Sequence, residues 1–217
     1  MSDWVFKYIY KFIIIEILMK AVIFDFDGVI HDTLDIAYGI NRKVSKNDIS
    51  LDEYKDIFNG NIYKDKTITP ESYSEFFELQ RKEFEDLEIK EDIRNELLKL
   101  KDEYELFIIS SNEEVVLNNY LENNDILHLF ERVLGVETHK SKIEKFKILF
   151  DEHGLDENNC VFVTDTLGDI LEANKVGVGS IAVDFGFHER HRLEKGNPKK
   201  IVSSFEDILP CVKGFGD

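Results

Sequence analysis

The apolar run Val22-Ile23-Phe24 breaks off at two carboxylates, Asp25 and Asp27, with Gly28 directly behind them, and no other stretch restricts the possible folds as much. Branched and aromatic residues without polar alternation suit a strand buried on both faces, as in a parallel sheet covered by helices. Side chains two apart on an extended chain point the same way. Such a strand delivers two acids side by side at its carboxyl end, where open α/β sheets place their ligands. Two buried anions repel and are costly to desolvate unless a cation sits between them. A turn or helix cap that merely contains two Asp has no need of the hydrophobic approach, nor of the Gly28-Val29-Ile30 that follows.

Behind this strand the periodicity becomes helical. Asp32 to Lys46 places Leu34, Tyr38, Ile40 and Val44 near a 3.6-residue spacing, with Asp32 or Thr33 as N-cap. Leu51 to Phe58 predicts a second helix, closed by the turn signal Asn59-Gly60-Asn61, and Pro70 opens a third that runs to about Leu87. Tyr73, Phe76, Phe77, Leu79 and Phe84 form an aromatic stripe of the kind that packs helices together. From about residue 88 helices and strands alternate: helix 91–100, strand 105–110, helix 113–123, strand 132–136, helix 142–153, strand 160–164, helix 169–176 and strand 180–184. Alternation of this kind implies parallel strands joined by right-handed crossovers.

A second buried strand, Val161-Phe162-Val163-Thr164, also ends in an acid, Asp165, followed by Thr166-Leu167-Gly168-Asp169-Ile170, with Ala173 and Gly177 further on. This stretch and Asp25-Phe26-Asp27-Gly28-Val29-Ile30 resemble the fourth and first motifs of the haloacid dehalogenase-like hydrolases, and the resemblance extends from Lys20 to the end of the chain. It implies a phosphoglycolate-phosphatase-like layout, in which 50–60 residues of helix after the first strand are the family's small helical cap. By the same resemblance Asp25 is the nucleophile, Asp27 the general acid/base, and Asp25, Asp27 (through its carbonyl) and Asp165 hold Mg²⁺, with Asp169 orienting a lysine or completing the metal's surroundings. Ser110, at the end of strand Leu106–Ile109, matches the second motif and would bind the phosphoryl group together with the amide of Ser111. The third motif is a lysine ahead of the fourth. Lys140 and Lys142 both qualify; the family's prolines are missing here, and Phe146, six residues after Lys140, gives Lys140 a slight edge over Lys142.

The chain carries 44 Asp+Glu against 27 Lys+Arg, a formal charge of -17, which argues against nucleic acid or an anionic membrane surface as partner. An anionic substrate then needs a local reversal of sign, from a metal or a dedicated lysine. Cys160 and Cys211 have neither metal-like nor redox-like spacing and read as apolar filler in a reduced, cytoplasmic protein. The six histidines show no zinc pattern. Val5 to Met19 is apolar but short for a membrane span and interrupted by Lys7, Lys11 and Glu16. It has no signal-peptide cleavage pattern. Residues 1–18 read as an upstream extension, such as a misassigned start codon would leave; the alternative is an amphipathic helix lying on a membrane or on the core.

The expectation is therefore a Rossmann-like parallel α/β core, residues 19–33 and 88–217, with an all-helical cap over residues 34–87. The expected activity is a magnesium-dependent phosphatase acting on a small phosphorylated metabolite through an aspartyl-phosphate. Asp27 disfavours carbon–halogen cleavage, since the family's dehalogenases lack an acid at that position. A phosphomutase of the same superfamily, or a catalytically silent phosphate-binding protein on the same fold, are the alternatives.

Overall fold

The computed structural model describes residues 19–45, 48–64 and 70–215; the amino-terminal segment 1–18 lies outside the described residues. Six strands form one parallel sheet in the order β3-β2-β1-β4-β5-β6: β1 Ala21–Phe24, β2 Glu105–Ile109, β3 Phe130–Leu134, β4 Cys160–Thr164, β5 Gly179–Val183 and β6 Lys200–Val202. The chain leaves β1 toward β2 and β3, then returns to place β4 on the other side of β1. The reversal of order between β1 and β4 is the topological switch point at which such sheets hold ligands.

Every residue of β1 is fully buried, which explains its unbroken apolar run. Val22 and Phe24 join Leu106, Ile108, Val161 and Val163 in a core on one face. Ala21 and Ile23 join Phe107, Cys160 and Phe162 on the other. Each large side chain buried this way contributes about 1.5–3 kcal/mol. The helices flanking the sheet are α4 Glu91–Lys101, α5 Glu114–Asn123, α6 Lys142–His153, α7 Leu167–Lys175, α8 Arg190–Leu193 and α9 Ile208–Lys213. Three further helices, α1 Leu34–Val44, α2 Leu51–Asp56 and α3 Pro70–Phe84, stand between β1 and α4.

Several expected boundaries moved by one to three residues, and three of the shifts have a clear physical reason. Strand β3 begins two residues earlier than the 132–136 reading because Phe130 and Leu134 are the residues that bury, while Glu131 and Arg132 face solvent on this edge strand. The second helix is a true α-helix only to Asp56, opened by a capping box between Ser50 and Glu53, and it tightens into a 3₁₀ turn over Ile57–Asn59. Helix α7 starts at Leu167 rather than Asp169. Thr166 is its N-cap and accepts the Asp169 N–H, so the Asp169 carboxylate is free for other work.

Among the described residues, no helix is long and apolar enough to cross a membrane.

Candidate active site

The carboxyl ends of β1 and β4 converge. Asp25 is buried, and its Oδ1 accepts the N–H of Phe26 at 2.7 Å. Asp27, two residues on, is clasped from both sides: Thr33 Oγ1 donates to Oδ1 at 2.6 Å and Asn112 Nδ2 donates to Oδ2 at 2.7 Å. Thr33 occupies the N-cap position of α1 but makes no capping bond, because its hydroxyl is committed to Asp27. Burial pushes Asp27 up to about 6, with the Thr33 bond working the other way.

Gly28 makes the turn directly after these acids possible. Its φ is +68°, and a Cβ there would lie 1.9 Å from Asp165 Oδ2. That oxygen has little room to retreat, since it accepts the N–H of Phe187 at 2.7 Å. Gly28→Ala is expected to combine left-handed backbone strain with this clash, losing about 2 kcal/mol or more and lowering the unfolding midpoint by about 4–8 °C in a thermal melt.

One cation joins the acids. Lys142, the first residue of α6 and 3% exposed in its side chain, places Nζ 2.7 Å from Asp25 Oδ2 and 2.7 Å from Asp169 Oδ2. Asp169 also accepts from Thr164 Oγ1 at 3.0 Å. Burial works against the charge of Lys142, but Asp169 and Asp25 outweigh it and hold the ammonium protonated. Burial likewise opposes ionisation of Asp169, and Lys142 overcomes it, so Asp169 stays ionised. Asp25 has no such surplus, and desolvation drives it well above the usual carboxylate range.

The expectation that favoured Lys140 is corrected by this geometry. Lys140 is exposed, with its Nζ 5.3 Å over the ring of Tyr63. Glu172 is the reason: it accepts from Ser141 Oγ at 2.7 Å and from the Lys142 N–H at 3.4 Å, docking the start of α6 onto α7 and turning Lys142 inward. Phe146, the residue that suggested Lys140, is i+4 from Lys142 and so shares its helix face; an i+6 residue does not.

Asp165 completes the group. It is 1% exposed, pushed up to about 8 chiefly by burial, and its Oδ1 has no hydrogen-bond partner. Carboxylate oxygens of Asp25, Asp165 and Asp169 all lie within 4.8 Å of one another. An orphaned buried carboxylate oxygen on Asp165, beside two acids that share one ammonium, fits a hard divalent cation with oxygen ligands, such as Mg²⁺. Asp27 is not in this cluster, because Thr33 and Asn112 occupy its carboxylate. Ser110 is fully buried and does not line the cavity; its Oγ accepts the Asn112 N–H at 3.1 Å, while Ser111 and Asn112 form the wall.

A family model for the haloacid dehalogenase-like hydrolases matches residues 22–183. The chain belongs to this family. Similar curated proteins include a phosphoglycolate phosphatase of Aliivibrio fischeri, 26% identical over 56% of this chain and 55% of its own length, so the match spans about half of that relative. A phosphoglycolate phosphatase of Synechococcus elongatus is 24% identical over 89% of this chain and 97% of its own. Among solved structures, a haloacid dehalogenase-like family protein from Streptococcus pneumoniae superposes with a TM-score of 0.74 at 18% identity, covering 90% of this chain and 99% of that one.

Helices α1–α3 stand over the family's acidic centre and enclose a cavity of about 350 Å³ whose floor includes Asp25, Asp27, Lys142, Asp165 and Asp169. Several contacts tie them to the core. Tyr63 Oη donates to the Ser111 carbonyl at 2.6 Å, Asn61 Nδ2 to Glu172 Oε1 at 3.1 Å, and Arg192 pairs with Asp52 and Asp56. Gly168 at the start of α7 lets the loop come close, since a Cβ there would meet the Gly60 carbonyl at 2.4 Å.

Four buried groups escaped the motif reading. Gln80 of α3 donates to Asn112 Oδ1 at 3.0 Å, extending the clasp on Asp27 into the helical layer. Lys145, 1% exposed, gives its ammonium to the Ser110 carbonyl, and burial with Lys142 nearby lowers it to about 7. Glu172 is described above. His188 accepts the Leu167 N–H at Nδ1 (3.0 Å) and holds the Lys55 carbonyl at Nε2 (2.8 Å). Only a lone polar residue in the sequence marks each of these, and lone polar residues are common.

His188 predicts a pH effect. Burial first, and Arg192 nearby, depress its pKa, so the fold prefers the neutral ring. A depressed histidine contributes stability above its unfolded value near 6.5 and loses it as pH falls below that value. The melting midpoint is expected to drop between pH 7 and 5.5, and to drop less steeply in His188→Gln; equal slopes would refute this role.

Proposed function

We propose that the chain is a magnesium-dependent phosphatase acting on a small phosphorylated metabolite through an aspartyl-phosphate. The observation that supports this most directly is Lys142 between Asp25 and Asp169 on the floor of the cavity, with Asp27 clasped beside them. A lysine so placed neutralises a carboxylate that must approach an anionic phosphoryl group. Asp25 attacks phosphorus in line, an O–P bond forms, and the bond to the leaving oxygen breaks. Asp27 donates its proton to that oxygen; its raised pKa, about 6, keeps part of it protonated near neutrality. It then takes a proton from a water molecule, whose oxygen attacks the phosphoryl group, freeing inorganic phosphate and Asp25.

The Ser111 N–H and Lys142 hold the phosphoryl oxygens, the positioning on which this chemistry depends, while the Ser110 hydroxyl stays behind the wall, on the Asn112 N–H. Asp25 and Asp165, with the Asp27 carbonyl or Asp169, would hold Mg²⁺; when bound, the ion neutralises the phosphoryl oxygens and the nucleophile. Residues 34–87 act as the cap that excludes water during transfer.

The test is release of phosphate from p-nitrophenyl phosphate. Turnover is expected with Mg²⁺ and is expected to vanish with EDTA and return on adding Mg²⁺; undiminished turnover in EDTA would overturn the metal's role.

A further inference from the structure

Resting on that reading, the cap side of the cavity narrows the substrate class. Lys142 is the only lysine or arginine lining the cavity among the described residues, and the phosphoryl group engages it. The far wall is instead built from the rings of Tyr54, Phe58, Tyr63, Phe76 and Phe77, with Ile57 and Ile62 between them. The hydroxyl of Tyr63 is tied to the Ser111 carbonyl, so its ring, not its polar end, is what it can offer a guest. The charged groups on this side are acids. Glu53 and Asp56 both line the cavity, and their hydrogen bonds to Ser50 and to Arg192 keep them ionised. A ligand with a second carboxylate or phosphate would carry that anion into a ring-lined chamber edged by the Glu53 carboxylate and by an Asp56 already paired with Arg192, where no further described cation lines the wall and its desolvation goes uncompensated.

Two cavity-lining amides, Asn41 and Gln80, each have a buried oxygen without a hydrogen-bond partner, and that of Gln80 is fixed in direction by its neighbours. Asp27 fixes Asn112 with its amide nitrogen toward the carboxylate, so Asn112 Oδ1 accepts from Gln80 Nε2. That in turn fixes Gln80, leaving its Oε1 as the acceptor. This oxygen is buried, has no hydrogen-bond partner, and belongs to a residue that lines the cavity. A buried carbonyl without a partner is costly, and a donor on the guest relieves it.

We propose that the site takes a monophosphate ester whose leaving group carries no second anionic group, lays an aromatic or alkyl body against the cap rings, and offers a hydroxyl or N–H to Gln80 Oε1. This differs from phosphoglycolate, whose leaving group ends in a carboxylate.

A matched pair of esters tests both features together: 4-carbamoylphenyl phosphate and 4-carboxyphenyl phosphate have nearly the same shape, and only the first has a para group that is uncharged and carries an N–H donor. With the full chain and Mg²⁺, kcat/KM is expected to favour the carbamoyl ester by at least tenfold, mostly through KM, and to be lower still for phosphoglycolate. Equal or better turnover of the carboxy ester or phosphoglycolate overturns the proposal while leaving the phosphatase reading intact. Calorimetric titration of the corresponding carbamoyl and carboxy phenylphosphonates gives the same comparison without turnover. Tighter carbamoyl binding in a protein that hydrolyses nothing would uphold the substrate class and defeat the catalytic reading. In Gln80→Leu the preference for the carbamoyl ester over plain phenyl phosphate is expected to shrink, a ratio that a general loss of activity does not move. An unchanged ratio removes Gln80 from the recognition.

Discussion

Asp25→Asn is expected to abolish phosphate release from every ester while the protein stays folded. An amide cannot form the proposed aspartyl-phosphate, and no other carboxylate has its place between the Phe26 N–H and Lys142. Folding should not suffer, because Asp25 is a buried acid whose desolvation already weighs against the native state. The melting midpoint of Asp25→Asn is expected to equal or exceed that of the parent. Asp27→Asn should differ in kind. It keeps the proposed nucleophile but removes the proposed proton donor and acceptor, a factor of about 10²–10⁴ in rate, larger for alkyl than for p-nitrophenyl esters because the latter leave without protonation. A burst of p-nitrophenol before slow turnover would report the stalled phosphoenzyme. Near-parental activity in Asp25→Asn would defeat the mechanism.

Lys142→Ala carries the second large effect. It leaves Asp25 and Asp169 facing each other without their shared cation, and breaking a buried pair in this way costs about 3–5 kcal/mol. In the proposed mechanism it also removes the charge that meets the phosphoryl oxygens, for which a loss of about 10²–10³ in kcat is expected. Lys140→Ala, on an exposed side chain over Tyr63, should change stability by no more than about 0.5 kcal/mol and leave kcat within severalfold. Melting curves and steady-state rates of the two variants decide the matter, and a reversed order would return the role to Lys140.

Much of the fold was legible because its signals are local. An apolar strand that ends in acids, repeated at Asp25 and Asp165, needs only the pleat and the hydrophobic effect to be read. The helix Lys142–His153 and strand Cys160–Thr164 were legible to the residue for the same reason. Edge strand β3 was placed two residues late because only half of an edge strand is buried and its pattern is correspondingly weak. Thr33 read as a helix cap because Thr before a periodic run usually is one. Its hydroxyl chose the Asp27 carboxylate six residues back, a partner no window around Thr33 reveals.

By itself the chain determined which residue types stand at the ends of β1 and β4, and that these strands are buried on both faces, since both follow from hydrophobic pattern and side-chain alternation. Only the tertiary structure decided which lysine meets the acids, because Glu172 of one helix turns the start of another and swings Lys142 rather than Lys140 inward. Only it made Asn112 and Gln80 a relay onto Asp27, joining residues 27, 80 and 112, and only it surrounded the cavity with rings in place of cations. Spacing along a strand is set by covalent geometry within a few residues, whereas charge pairing and cavity lining depend on packing between segments distant in sequence, where burial, not periodicity, selects the partner.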